Sequence, residues 1–250
     1  MLLTRDRSSI DIVKTLIAIN VLVFFAGFFE ATRIPALYCV PMPPQAGIPT
    51  PVAEVYGAYS YMTCFSLHEL WRLVTYQFLH ANLGHLVFNM LALSVFGGAV
   101  ADRFGASRFL AFYFICGVAG ALFSTLLGAV GLFGDGVDSP MMDSLMQYAA
   151  ARAGVADLPI AAWKMVPMVG ASASIYGVLV ATAFLFPTSR VRLIFPPVDM
   201  TVRMLALLVL GFAIVVIVFD WSNAGGEAGH LGGMIMGTIL MLGRSLWMKR

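Results

Sequence analysis

The chain has 250 residues, of which 60% are hydrophobic and only 11% are charged, and its net charge at pH 7 is +2. Because a soluble domain has about 25% charged residues, this composition excludes an ordinary water-soluble protein and predicts a membrane protein. Apolar stretches long enough to cross ~30 Å of hydrocarbon recur along nearly the whole chain. We therefore predict one transmembrane domain over residues 1–250, with the lipid bilayer and no nucleic acid among its partners.

Hydrophobic runs between charged segments predict six transmembrane helices. They lie near residues 12–29, 85–101, 108–130, 171–187, 201–219 and 229–246. No small-residue cleavage site follows the first run, so we expect a retained helix rather than a removed signal peptide. The predicted fold class is an all-α, polytopic membrane bundle.

Two connecting segments are unusually long and fall on the same side of the predicted bundle. Residues 30–84 form an outer loop rich in proline and aromatic residues, and residues 132–169 form an acidic insert. For the insert, a solvated connector is favoured over a substrate-docking element.

The charged residues are distributed unequally between the two sides. One side carries eleven Lys and Arg residues against four acidic residues, and the other carries four against nine. Because Lys and Arg are retained in cytoplasmic loops, both termini are predicted to be cytoplasmic and both long segments external. We expect a multi-pass protein of a bacterial inner (plasma) membrane, and its oligomeric state stays open.

Three cysteines, Cys39, Cys64 and Cys116, are too few and too scattered for a metal cage or a disulfide framework. No metal site and no cofactor is predicted. Cys39 and Cys64 could form a bridge in an oxidising compartment, and two free thiols are an equal alternative.

Polar groups inside membrane helices are costly, so each needs a partner or a function. The predicted helices contain His85, Asn89, Ser172, Ser174, Tyr176 and His230. Ser172, His230 and Asn89 lie 15, 14 and 13 residues before the inner ends of their segments. At 1.5 Å per residue all three lie roughly 20–22 Å above the inner boundary, a common level that an outward-facing, water-filled cavity could reach.

The predicted fourth helix begins at Gly170-Ala171-Ser172, directly after the insert. Free N–H groups of its first turn and the positive end of its dipole would then face any oxyanion that forms at Ser172. Tyr176 shares the face of Ser172 one turn later and could pack its ring on an imidazole.

Serine needs a base to become a nucleophile, and His230 is the imidazole at matching depth. No acidic residue falls within the predicted helices, so the spacing favours a Ser–His dyad without a third member. His85 and Asn89 share one helix face and could donate to one oxyanion. Gly233 and Gly237 have the G-x-x-x-G spacing that allows close approach of the sixth helix to the fourth.

These motifs resemble those of the rhomboid intramembrane serine proteases over roughly residues 70–245. The resemblance is carried by Trp71-Arg72, His80, His85-Leu86-Val87-Phe88-Asn89, Gly170-Ala171-Ser172, Tyr176-Gly177, Gly229-His230-Leu231-Gly232-Gly233 and Gly237. It implies a six-helix rhomboid-like bundle and a cofactor-independent endopeptidase that cuts transmembrane segments of other membrane proteins.

The resemblance also implies a role for each matching residue. Ser172 falls on the nucleophile and His230 on its base. The oxyanion-stabilising pair corresponds to His85 and Asn89, and the ring that stacks on the base to Tyr176. The remaining matches are structural: Gly170, the Trp71-Arg72 motif of the first outer loop, and the close-packing pair Gly233 and Gly237. For His80, support of the loop or oxyanion residues and simple interfacial solvation stay open.

One position departs from the family pattern, because the last residue of G-x-S-G is Ala173 here. An added methyl group is compatible with a helical turn, so we expect it to be tolerated. Ser174 should point about 200° away from Ser172 around the helix, which makes it a poor rival nucleophile.

A catalytically inactive membrane-protein-binding scaffold is the alternative function. A small transporter is less favoured because no internal repeat is visible.

Overall fold

A computed structural model describes residues 7–33, 52–133, 140–154, 164, 166–193, 197–221 and 223–243. The α-helices are α1 (Arg7–Arg33), α2 (Val52–Gly57), α3 (Arg72–Thr75), α4 (Leu83–Phe104), α5 (Ala106–Ala129), α6 (Pro140–Ala153), α7 (Ser172–Leu185), α8 (Val202–Val218) and α9 (Ala224–Leu242). The outer loop also contains a π-helical turn, Met62–Ser66, and a 3₁₀ turn, Tyr76–Phe78. Strands β1 (Arg190–Arg192) and β2 (Asp199–Thr201) form an antiparallel pair between α7 and α8.

The predicted helical architecture is confirmed. The six expected helices correspond to α1, α4, α5, α7, α8 and α9, with ends that differ by about five residues at most. Within the described residues, three helices are long and apolar enough to cross a membrane, at Asp11–Phe29, Leu83–Phe104 and Ala106–Ala129. Helices α7 and α8 are apolar but shorter. The number of six crossings therefore stays a prediction.

Local sequence signals set the helix ends. Asn82 caps α4 by accepting a hydrogen bond from the backbone N–H of His85 at 2.8 Å. Thr201 caps α8 in the same way, accepting from Met204 N–H at 3.1 Å. Between α4 and α5 the chain turns through Gly105, whose φ of 83° is a conformation that favours glycine.

Helix α9 packs against α5, α7 and α8. Its glycines allow backbone contact with α7, as the G-x-x-x-G spacing predicts. A Cβ atom at Gly233 would lie 2.0 Å from the carbonyl oxygen of Ala173, and one at Gly237 would lie 3.0 Å from the Cα of Gly177. No side chain larger than hydrogen fits at Gly233, and a methyl group at Gly237 would make a tight contact with the backbone of Gly177.

The acidic insert is not a solvated connector where the structure describes it, so that expectation was wrong. Helix α6 buries Leu145 and Ala149 against Ala58 and Leu79 of the outer loop. The hydroxyl of Tyr148 also donates to a carboxylate oxygen of Glu69. The composition of the insert suggested solvation, but one face of its helix is apolar and finds a partner on the folded loop.

Arg72 is fully buried in the outer loop. Its Nε lies 2.6 Å from Oε2 of Glu69, and its guanidinium donates to the carbonyl of Ala58 at 2.6 Å. Trp71 is half exposed, and its indole N–H donates to the carbonyl of Tyr56 at 3.1 Å. Both residues of the motif therefore make hydrogen bonds within the loop, and the structural role that the resemblance implies for them stays a prediction. Cys64 is buried with a free thiol, whereas Cys39 lies outside the described residues.

Candidate active site

The outer loop positions the segment that leads into α7. Backbone hydrogen bonds join Tyr59 and Met168 in both directions, at 3.1 and 2.8 Å. The N–H of Gly170 donates to the carbonyl of Tyr76 at 2.9 Å, and Gly170 has a φ of 121° that side chains disfavour. Helix α7 then begins at Ser172. The serine is thus placed in the first helical turn, as predicted.

Ser172 and His230 meet across the contact between α7 and α9. The Oγ of Ser172 lies 2.7 Å from Nε2 of His230. Both side chains are partly buried. A hydroxyl and an imidazole at this distance can exchange a proton, which is the requirement for activating a serine.

The ring of Tyr176 stacks on the imidazole of His230. The ring centroids are 4.2 Å apart and the planes are inclined by only 10°. Because Tyr176 lies one turn after Ser172, both side chains emerge from the same face of α7 toward α9. The stacked ring limits tilting of the imidazole.

Glu227 also contacts His230, which corrects the expectation that no carboxylate lies in the helices. Its Oε2 is 2.9 Å from Nδ1 of His230, and its side chain is buried. The error came from the helix boundary: α9 begins at Ala224, five residues before the predicted start, and Glu227 lies in its first turn. An acidic residue three positions before a histidine shares its helix face, and this spacing was the signal available in the sequence.

His85 and Asn89 lie on the face of α4 that meets Gly170. A Cβ atom on Gly170 would be 2.7 Å from Cε1 of His85 and 3.6 Å from Nδ2 of Asn89. Asn89 is buried, and its Nδ2 has no hydrogen-bond partner within the described part of the chain. An unpaired buried donor beside the segment that enters Ser172 is suited to stabilise a developing oxyanion.

His80 is buried rather than solvated at an interface. Its side chain is 4% exposed, and its ring meets that of His85 edge-on with centroids 5.1 Å apart. Burial and the neighbouring His85 lower the pKa of His80 to about 4. Together with Glu54 it lines a cavity of about 420 Å³ between the outer end of α1 and the start of α4. The ring of His80 thus packs against His85, and its support of the oxyanion residues stays a prediction.

Ser174 points away from the Ser172 site, as expected. It is fully buried, and its Oγ donates to Oε1 of Gln77 at 2.8 Å. Ala173 lies between the two serines and packs against α5, where a Cβ atom on Gly120 would be 2.6 Å from the alanine methyl group. Gly120 thus makes the room that the departure from G-x-S-G requires, a compensation that sequence reasoning missed.

Comparisons with known proteins point to one family. A family model described as the Rhomboid domain matches residues 67–246. The chain is 28% identical over 169 residues to Rhomboid protease GluP of Bacillus subtilis, covering 68% of this chain and 25% of that protein. It is 29% identical over 162 residues to Rhomboid protein 1, mitochondrial, of Saccharomyces cerevisiae, covering 65% of this chain and 38% of that protein.

A relative without activity is also similar to this chain. Inactive RHOMBOID-like protein 8 of Arabidopsis thaliana is 34% identical over 83 residues, which cover 33% of this chain and 24% of that protein. The matched segments of these three relatives span about a quarter to two fifths of their lengths. The family model covers well over half of this chain. The chain therefore belongs to the rhomboid family of integral membrane proteins.

Proposed function

We propose that the protein is an intramembrane serine endopeptidase that cuts transmembrane segments of other membrane proteins. Ser172 is the nucleophile and His230 is the general base. The observation that carries the proposal is the 2.7 Å contact between Ser172 Oγ and His230 Nε2, made by two helices that pack backbone to backbone.

The geometry supports acyl transfer in two steps. Ser172 Oγ attacks the scissile carbonyl while His230 Nε2 takes its proton, and the oxyanion that forms is stabilised by His85, Asn89 and N–H groups at the start of α7. His230 then returns the proton to the leaving amine, which leaves an acyl ester on Ser172. Water, activated by His230 in the same way, hydrolyses the ester and restores the hydroxyl. No cofactor enters this sequence.

The depth of Ser172 restricts the substrate. A transmembrane helix hides its carbonyls in backbone hydrogen bonds, so it must unwind before the nucleophile can reach one. Segments with small or helix-breaking residues near their outer ends unwind at the lowest cost and are the substrates we propose. The segment from Met204 to Phe219, which includes most of α8, has no charged group, and we propose it as a lateral gate by family resemblance.

A catalytically inactive scaffold that binds membrane proteins is the second candidate. Two observations favour it: Ala173 departs from the family pattern, and a relative of similar sequence is named inactive. The fit of the Ala173 methyl group against Gly120 weakens the first of these.

Cleavage of a model transmembrane substrate by the purified protein in liposomes tests the proposal. Wild type and Ser174→Ala should cleave, whereas Ser172→Ala and His230→Ala should not. A fluorophosphonate probe should label wild type and fail to label Ser172→Ala, which separates an enzyme from a carrier. Cleavage that survives Ser172→Ala would refute the assignment of the nucleophile, and a folded wild type that neither cleaves nor reacts would favour the scaffold.

A further inference from the structure

We infer that Glu227 is a positioning residue that fixes the tautomer of His230, so that the site has three members rather than two. The inference rests on the proposed role of His230. It concerns a carboxylate that the G-x-S-G and G-H-L-G-G motifs do not include.

Both ring nitrogens of His230 have defined partners. Nδ1 lies 2.9 Å from Oε2 of Glu227, and Nε2 lies 2.7 Å from Oγ of Ser172. An ionised carboxylate can only accept a hydrogen bond, so the proton of a neutral imidazole belongs on Nδ1. Nε2 then keeps its lone pair toward the serine hydroxyl, which is the state a general base needs.

Two side chains together define the orientation of the imidazole. The stacked ring of Tyr176 holds its plane, with centroids 4.2 Å apart. Stacking alone does not distinguish the observed imidazole from one flipped by 180° about its Cβ–Cγ bond. The flip keeps the ring plane but exchanges the positions of the ring nitrogens and carbons. The carboxylate of Glu227 makes that distinction, since only one arrangement places an N–H against it.

The position of Glu227 suits this role. The residue is 7% exposed and lies in the first turn of α9, where its backbone N–H donates to the carbonyl of Asn223 at 2.9 Å. His230 is its only ion-pair partner within the described residues. When the imidazole takes the serine proton, its positive charge forms beside a negative charge in a partly buried site, which stabilises that state.

A purely structural role makes a different prediction. A carboxylate in the first turn of a helix also interacts with the helix dipole. Removal of such an interaction would lower thermal stability and leave the proton on the same nitrogen of His230. The tautomer is therefore the property that separates the two roles, and it can be read without any cleavage.

The experiment uses the full chain labelled with ¹⁵N-histidine in micelles. His230 signals are identified by their loss in His230→Ala, and their ¹⁵N shifts report which nitrogen carries the proton. We expect the Nδ1–H form in wild type and a mixture with the Nε2–H form in Glu227→Ala. Glu227→Gln, which keeps the side-chain volume, should also yield a mixture because its amide can donate to Nδ1. Glu227→Asp should restore part of the Nδ1–H population.

Steady-state kinetics on the model substrate provide the second measurement. For Glu227→Ala and Glu227→Gln, kcat on the model substrate should fall by tenfold or more with KM unchanged. Asp220→Asn is the matched control, because it removes one negative charge from an exposed residue between α8 and α9. This variant should behave as wild type. Equal tautomer populations in wild type and both variants would overturn the inference. A wild type that has the Nδ1–H form and cleaves nothing would instead count against the proposed function alone.

Discussion

Gly170 shows how strictly one position constrains the site. Its φ is 121°, and a Cβ atom would lie 2.7 Å from the ring of His85. Gly170→Ala should therefore strain the backbone by about 1–3 kcal/mol and displace either His85 or the start of α7. We expect at least a tenfold loss of kcat/KM, because a displacement of about 1 Å at a reacting group can cost 100-fold.

Gly211 provides the matched control for that substitution. It lies in α8, where a Cβ atom would meet nothing within 4 Å. Gly211→Ala should leave cleavage unchanged and should stabilise the helix by up to about 1 kcal/mol. Cleavage rates and thermal unfolding of both variants in the same detergent check the prediction. Equal activity of the two variants would show that the contact between Gly170 and His85 is unimportant.

At the scale of residues, the sequence predicted the side chains that belong to a motif and whose position along a membrane helix could be estimated. Ser172 and His230 were predicted from their motifs and from the depth that spacing assigns them, and Tyr176 was predicted from sharing a helix face with Ser172. The structure brings the three side chains together. Glu227 was missed because Ser, Asn and Gly residues before it imitate a loop. Gly120 was missed because its role is defined only by the Ala173 methyl group that packs on it.

At the scale of elements, α7 and α9 act as one packed unit. A methyl group at Gly233 would meet the Ala173 carbonyl oxygen at 2.0 Å, and a backbone atom cannot rotate away. Gly233→Ala should separate the two helices, destabilise the protein by about 1–3 kcal/mol and lengthen the contact between Ser172 and His230. Cleavage and fluorophosphonate labelling should fall together.

Gly243 is the comparison for Gly233, because it follows α9 and its Cβ atom would make only an ordinary contact at 3.6 Å. Gly243→Ala should retain both stability and labelling. A Gly233→Ala variant that labels at the wild-type rate would contradict the view that backbone contact sets the distance between the two reacting groups.

The insert helix should brace the outer loop. Tyr148 donates its hydroxyl to the buried Glu69 carboxylate, and Glu69 in turn holds Arg72. Tyr148→Phe should cost about 1–3 kcal/mol, because a buried charged acceptor loses a donor. Thermal unfolding should shift downward by about 2–12 °C. Tyr56→Phe, at a half-exposed neighbouring ring, should unfold close to wild type.

The insert also marks the limit of prediction for elements. Helix positions followed from hydrophobic runs, because the membrane sets both their length and their polarity. Outside those runs, the docking of α6 depends on a surface made by Ala58 and Leu79, which are far from it in sequence. No local pattern encodes such a contact, so composition alone led to the wrong expectation.

For the whole molecule, Glu54 makes stability depend on pH. Burial raises its pKa from 4.5 to about 7, so the folded protein keeps a proton that the unfolded chain releases. This contribution is fully present below about pH 4.5 and is lost as pH rises through about 7. Glu54→Gln imitates the neutral form, and its stability relative to wild type should increase from pH 5 to pH 8 by about 1–3 kcal/mol.

Thermal unfolding of wild type and of Glu54→Gln from pH 5 to pH 8 checks the prediction for Glu54. His80 has the opposite dependence, because its pKa is lowered to about 4 and its contribution is lost as pH falls from about 6.5. Since both proteins contain His80, the difference between them isolates Glu54. A difference that is constant from pH 5 to pH 8 would show that Glu54 is not buried as a neutral acid.

The predicted orientation is also a property of the whole chain. Asp143 in α6 and Arg190 in β1 are exposed and lie on opposite predicted sides. In a Cys39→Ser background, a membrane-impermeant maleimide should label Asp143→Cys on intact cells and Arg190→Cys only after lysis. The reverse pattern would place the termini outside. Cys64 and Cys116 are buried and should react in neither case.

The glycine contacts of α9 with α5 and α7 have a consequence for how a substrate enters. Helices that touch through their backbones cannot move apart without losing all of these close contacts. We therefore expect α5, α7 and α9 to move as one rigid body. A substrate entry path would therefore have to open at helices that pack mainly through their side chains. Helix α8 meets that description, with Leu207 and Phe212 more than half exposed. If the proposed function holds, the catalytic geometry should therefore stay intact while α8 moves to admit a substrate.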